Sequence, residues 1–335
     1  MKSNSVVERA SLFCLGVAIF SGHDARLFAA DKLNLIYTAR VMSQAYPWMA
    51  QDLGLFKKYD LDVSVVFVTP GAPSVAAILS GDSEVAVIGA ASITRPFVQG
   101  NRDPVFIGGI KSLLTHSIIA KADIARPEQL RGKRIGVSRI GSNPHYFAVQ
   151  ALRHFGIDSR EVSYIQAGGA PETLAALVAQ AIDAAVLTVP TDAQALKLSY
   201  HYVIYGPELK IAYAATTLTT RRSIIAKRGA VVGRFMRAMA EAAKIMHTDK
   251  DLTFKVLGKY LRIDDRALLD ASYNVEIKAL EPRLALKLDG IQSTLDEIAP
   301  TEPRAKTVKP QEMIDSRYLD EMEKSGFFDQ LWGRK

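Results

Sequence analysis

Two stretches of this chain, LDVSVVFVTPGAPSVAAILSGDSEVAVIGAAS from Leu61 to Ser92 and REVSYIQAGGAPETLAALVAQAIDAAVLTVPT from Arg160 to Thr191, repeat one another. Val63-Ser64 matches Val162-Ser163, Gly71-Ala72-Pro73 matches Gly169-Ala170-Pro171, and Glu84 with its apolar run matches Asp183 with its own, at offsets of 98 or 99 residues. Upstream of each copy stands the same third piece, a strand at Leu33 to Tyr37 with a helix ending at Gly54, and a strand at Arg134 to Val137 with a helix ending at Gly156. A duplicated unit of this kind restricts the fold severely. Each copy has to bury a sheet of its own, and the two sheets then belong to two similar lobes.

The type of each element follows from its pattern. VSVVFV and VAVIG are short, β-branched and nearly continuous, as parallel strands covered on both faces are. PSVAAILSG and PETLAALVAQ open on proline and carry an apolar stripe, as helices do. Each half is therefore a βαβαβ unit with right-handed crossovers. After about residue 217 helices alone are expected, at Val231 to Met246, Leu252 to Leu261, Arg266 to Tyr273, Leu284 to Ile298 and Ser316 to Lys324, packed on an existing lobe. Leu113 to Ala122 and Ile211 to Thr217 are the expected crossovers between lobes. The fold class is α/β: two lobes, each a mostly parallel sheet flanked by helices, with a cleft between them.

In open parallel sheets ligands sit beyond the C-terminal strand ends, where loops converge and helix N-termini point. Six loops meet that description: Thr38 to Ser43, Thr69 to Pro73, Gly89 to Thr94, Ser138 to Asn143, Ala167 to Ala170 and Thr188 to Thr191. They are rich in Gly, Ala, Ser and Thr, which let a backbone come close to a bound molecule. SRIGSNPHYFAVQALRHFG, from Ser138 to Gly156, is the most specific. Asn143 reads as an N-cap, Pro144 as the first helical residue and Gly156 as the stop, so a helix start with unpaired N–H groups faces the loop. Arg40, Arg95 and Arg139 lie in or beside these loops, and a guanidinium holds a carboxylate or sulfonate through two parallel hydrogen bonds. Arg139 is the foremost of the three, and Tyr37 could add aromatic surface.

Bulk properties exclude more than they assign. The chain has 335 residues, 48% of them hydrophobic, enough for a substantial two-part core. Its charge of +7 is scattered, and the densest basic clusters, Arg221-Arg222 and Lys227-Arg228, have no interleaved aromatics, so no nucleic-acid partner is expected. Lys2 and Arg9 precede the apolar run Leu12 to Phe20, which is too short to span a bilayer and reads as a secretory signal ending near Ala30. Cys14, the one cysteine, lies within it, so a mature chain would carry no thiol. The histidines show no metal-ligand spacing, no nucleophile elbow or phosphate loop is present, and neither metal nor cofactor is expected.

AQDLGLFKKYDLDVSVV, GDSEVAVIGAAS, the SRIGSNP loop, QAGGAPETLAAL and AIDAAVLTVP, in that order behind a signal, resemble the periplasmic solute-binding family of nitrate, sulfonate and taurine type ABC importers, which also includes pyrimidine-precursor binders. The similarity covers roughly residues 31 to 300. It implies a type II periplasmic binding fold divided into a signal peptide (1–30), lobe I (31–115), lobe II (116–214) and a return to lobe I with C-terminal helices (215–335). It also implies a monomeric periplasmic receptor, not an enzyme, that closes over a small-molecule solute and presents it to a permease in the cytoplasmic membrane. Carried over by position, the ligand contacts are Arg40, Ser43 and Gln44, then Ala90, Ala91 and Ser92, then Gly141, Ser142 and Asn143, then Gly168 and Gly169. The cleft loops and their flanks add Tyr37, Thr69, Gly71, Arg139 and Thr188. Pro144 stands where many relatives have a hydroxyl residue, and it offers no N–H. The helix start therefore offers fewer donors for an oxyanion, and it is the arginines that favour a small organic anion, sulfonate or carboxylate. The alternative is an enzyme on the same scaffold acting on a pyrimidine-like or small organic substrate.

Overall fold

The structure, a computed structural model, describes residues 30–333; the expected signal segment and Cys14 lie outside the described residues. The first copy of the repeat runs β1 (Asp31–Tyr37), α1 and α2 (Tyr46–Asp52 and Leu55–Lys58), β2 (Leu61–Phe67), α3 (Ala72–Ser80), β3 (Val85–Ile88) and α4 (Ala91–Val98), followed by β4 (Pro104–Leu113). The chain then crosses to β5 (Ser117–Ala120) and the second copy: β6 (Arg134–Val137), α5 (Asn143–His154), β7 (Ser163–Gln166), α6 (Ala170–Val178), β8 (Ala184–Leu187), α7 (Thr191–Lys197) and β9 (His201–Ile204). It returns through β10 (Ala212–Arg221).

Two five-stranded sheets result, ordered β2-β1-β3-β10-β4 and β7-β6-β8-β5-β9. In the first, β1 pairs parallel with β2 and β3, and β10 runs antiparallel to β3 and β4. In the second, β6 pairs parallel with β7 and β8, and β5 runs antiparallel to β8 and β9. Four strands of each sheet point one way and one is reversed. The reversed strand is in each case the one arriving from the other lobe. The mostly parallel α/β architecture expected from the repeat is the one observed.

Each sheet is covered on both faces, which is why β3 and β8 are apolar and buried throughout. On one face of the first sheet lie Trp48 and Met49 of α1 and Phe235, Met236 and Met239 of the long helix α8 (Arg222–Thr248); on the other lie Ile93 and Phe97 of α4. The second sheet is enclosed by Phe147 and Leu152 of α5 and by Leu174 and Leu177 of α6. The C-terminal part continues with α9 (Lys250–Leu261), α10 (Arg266–Glu276), α11 (Leu288–Ile298), α12 (Arg317–Lys324) and α13 (Phe327–Trp332).

Three expectations are corrected. The crossovers are shorter than Leu113 to Ala122 and Ile211 to Thr217, because most of those residues extend β5 and β10, whose ladder hydrogen bonds satisfy backbone groups that a buried loop would leave unpaired. The helix expected from Val231 begins at Arg222, with a non-helical break at Arg228. There the guanidinium donates to Lys32 O at 2.7 Å and pairs with Glu84, so this basic cluster is tied into the start of the first sheet. The helix expected from Leu284 starts at Leu288, because Leu284 adopts a left-handed conformation (φ 58°).

Candidate binding cleft

In the first lobe the loop after β1 is braced from within. Gln44 is buried; its Oε1 accepts from Thr38 N at 2.7 Å and Ala39 N at 3.2 Å, and its Nε2 donates to Thr38 Oγ1 at 3.1 Å. Gln44 therefore sets the loop's shape. Ser43, also buried, accepts from Thr216 Oγ1 at 3.2 Å. Tyr37 is wedged against Trp48, ring centroids 5.3 Å apart and near perpendicular, and against Phe67 at 5.5 Å. Arg40 is exposed, its guanidinium 4.7 Å from the Phe67 ring centroid. At the start of α4, Ala90 N donates to Ala214 O at 3.1 Å and Ser92 N to Gly89 O at 3.2 Å, while Ala91 packs against the core of the second lobe.

In the second lobe the helix start differs from the sequence expectation in detail. Ser142 is the N-cap, and Asn143 is the first helical residue. Ser142 Oγ donates to Arg139 O at 2.6 Å, Ser142 N to the same carbonyl at 3.1 Å, and Gly141 N to His145 Nδ1 at 3.2 Å. Burial lowers the His145 pKa and keeps the ring neutral, as that acceptor role requires. Pro144 has no N–H to give. The loop thus spends these donors on itself, and Arg139 is exposed on it.

Contacts between the lobes identify the gap. Arg139 lies against Gly71: a Cβ built on that glycine would stand 3.3 Å from Arg139 Cδ and Nη1, and φ is 92°, a conformation open to glycine. Asn143 Nδ2 donates to Ala215 O of β10 at 2.7 Å, and a Cβ on Gly89 would meet Asn143 Oδ1 at 3.0 Å. Gly168 N donates to Ser138 O at 3.3 Å, joining the glycine turn to the Arg139 loop, whereas Gly169 packs near Glu172 of its own helix. Thr69 is exposed on the loop leading to Gly71. Arg95 stands apart: it pairs with Glu302 at 3.4 Å on the surface.

Beneath the gap lies a cluster that the sequence reading missed apart from Thr188. Lys111 Nζ and Glu276 Oε1 are 2.6 Å apart, with side chains 3% and 2% exposed. Thr115 Oγ1, in the first crossover, accepts from Lys111 at 2.6 Å, donates to Glu276 Oε2 at 2.8 Å and lies 3.3 Å from Thr188 Oγ1. Lys197 of α7 pairs with Asp265 at the start of α10, a further tie between lobes. Burial pushes Asp192 up to about 6 and Glu297 up to about 7, each accepting from a tyrosine hydroxyl, Tyr202 and Tyr213. Burial and the Lys111 charge hold His116 down near 3.

Among the described residues no group of three or more His, Cys, Asp or Glu is disposed to hold a metal, and no helix is long and apolar enough to cross a membrane. A family model described as NMT1/THI5 like matches residues 44–251. The chain is similar to a taurine-binding periplasmic protein of Escherichia coli (strain K12), 29% identical over 188 residues, 55% of this chain and 58% of that protein, so the match spans little more than half the relative's length. Its fold is similar to that of an alkanesulfonate-binding protein of Xanthomonas axonopodis pv. citri solved with MOPS (TM-score 0.68, 18% identity, covering 83% of this chain and 95% of that one). It is also similar to the desulfurization enzyme DSZB (TM-score 0.67, 14% identity, covering 88% and 99%).

Proposed function

We propose, from the premise that this chain belongs to the NMT1/THI5-like family of nitrate-, sulfonate- and taurine-type periplasmic binding proteins, that it is the extracytoplasmic solute receptor of an ABC importer and binds a small organic anion. Residues 31–115 with 215–335 form one lobe and 116–214 the other. The lobes close over the solute about the two crossovers, and the closed monomer presents it to a membrane permease. The observation that carries the anion is Arg139, exposed on one wall and laid against Gly71 of the other. Among the described residues neither Arg139 nor Arg40 has a carboxylate within ion-pair distance, in contrast to Arg95. A guanidinium without a protein counter-ion matches a sulfonate or carboxylate in shape and charge.

Thermal-shift screening against sulfonates, carboxylates, nitrate and pyrimidines tests this. A ligand at 100 times its Kd stabilises the folded form by about 2.7 kcal/mol, a rise of several degrees. Arg139→Ala is expected to abolish the shift for an anion; an undiminished shift removes the anion assignment. X-ray scattering is expected to show compaction with the same ligand. Because a desulfurization enzyme shares the fold, an enzyme acting on a small organic substrate is the second reading. A receptor returns its solute chemically unchanged after prolonged incubation, and steady turnover would establish the enzyme instead.

A further inference from the structure

Phe67 is the last residue of β2, an edge strand, and is 38% exposed. Topology does not demand a phenyl ring there. The matching position in the second copy, paired with the end of β6 as Phe67 is with the end of β1, is the polar Gln166. Gln166 braces its loop by accepting from Ile140 N at 3.1 Å. Phe67 braces nothing by hydrogen bonding, yet its ring is fixed from behind by Tyr37, itself held against Trp48. The result is an aromatic ring backed by Tyr37, with the Arg40 guanidinium over it and more than a third of its surface exposed.

Each lobe also brings a guanidinium to the segment from Phe67 to Gly71. Arg40 stacks on Phe67, and Arg139 from the other lobe lies against Gly71, at the end of the short loop that Phe67 begins. Arg139 is followed by Ile140, 51% exposed, so each wall carries one guanidinium and one exposed apolar side chain.

We propose that the solute is an aromatic anion, its ring against Phe67 and its charged group between Arg40 and Arg139. This deepens the anion-receptor reading and rests on it. A short, polar anion satisfies the guanidinium groups and leaves the exposed part of the Phe67 ring in water. An aryl sulfonate or aryl carboxylate uses both, because stacked or edge-on rings attract beyond the area they bury.

Isothermal titration of the purified protein with benzenesulfonate, benzoate, ethanesulfonate and acetate reads this directly. Both aryl anions are expected to bind about tenfold or more tightly than their alkyl counterparts. Phe67→Ala should cost the aryl anions about tenfold and the alkyl anions less than about twofold, while Phe67→Tyr, which keeps the ring, retains the preference. The melting temperature without ligand checks that each variant folds. Equal affinity for aryl and alkyl anions in the native protein, or equal losses of both in Phe67→Ala, overturns the aromatic assignment and leaves the anion receptor standing. If no anion of either kind binds, the anion-receptor reading falls and this proposal falls with it.

Discussion

The two copies of the repeat share a strand order and the register at which the first strand meets the second, Tyr37 opposite Phe67 and Val137 opposite Gln166. The loops that follow are built in opposite ways. In the first copy Thr38, Ser43 and Gln44 are buried and the bracing amide reaches back from within the loop; in the second, Arg139, Ile140 and Gly141 are exposed and bracing comes from hydroxyls and from the next strand. Duplication preserved the topology and left the side chains to diverge. The first loop is a buried frame that leaves Arg40 exposed. The second projects Arg139 and Asn143 towards it.

The crossover cluster shows the same asymmetry and gives the largest expected effect. Lys111 and Glu276 both come from the first lobe, Thr115 from the crossover, and the second lobe supplies one hydroxyl, Thr188. Removing one member of a buried ion pair leaves the other charge uncompensated, so Lys111→Met should cost about 3–5 kcal/mol of unfolding free energy. Thr188→Val, which removes the lobe II contribution, should cost about 1 kcal/mol or less. Urea denaturation measures both. Equal losses would show that the cluster is shared between lobes and end the contrast.

A smaller effect tests the loops themselves. Gln44→Ala strips Thr38 N, a buried donor, of its acceptor, which should cost about 1–3 kcal/mol, whereas Gln166→Ala on the exposed loop should cost no more than about 0.5 kcal/mol. Melting temperatures of the two variants settle the comparison. A larger loss at Gln166 would reverse which wall is the frame.

Much of this was legible because the repeat states its elements twice, with proline at helix starts and glycine at stops. The reversed strands were not. β10 reads AYAATTLTTR, whose apolar run is broken by four threonines, and it becomes an interior strand because its buried hydroxyls find partners, Thr217 on Ile88 O at 2.9 Å and Thr220 on Glu84 O at 2.6 Å. Lys111 and Glu276 meet across 165 residues of sequence, a separation that no spacing rule reads. The Gly71 loop and the SRIGSNP loop were assigned to one gap, and the contact of Arg139 with Gly71 brings them together. Gln44 and Asn143, expected as ligand contacts, also engage polar groups of the protein itself, Thr38 and the Ala215 carbonyl, partners that no sequence pattern names.

Carboxyls on α7 and α11 allow a last and smallest test. Asp192 and Glu297 keep protons in the folded chain, up to about pH 6 and about pH 7, after an unfolded chain has released them. Each therefore lowers stability as pH rises from the ordinary carboxyl range through its folded pKa. His116 acts in the opposite sense: buried and neutral down to about pH 3, it adds stability as pH rises from there towards its ordinary value of 6.5. The opposing slopes offset one another in the native protein. In Asp192→Asn the amide can donate to the Tyr202 oxygen in place of the native bond, so the pocket stays filled and one downward slope disappears. The variant should match the native protein at pH 4, rise more steeply between pH 4 and 6, and be more stable at pH 8 by of order 1 kcal/mol. Melting temperatures over that range decide it. Parallel curves for the two proteins would mean that Asp192 ionises as an exposed carboxyl does and that α7 is not closed against the first lobe.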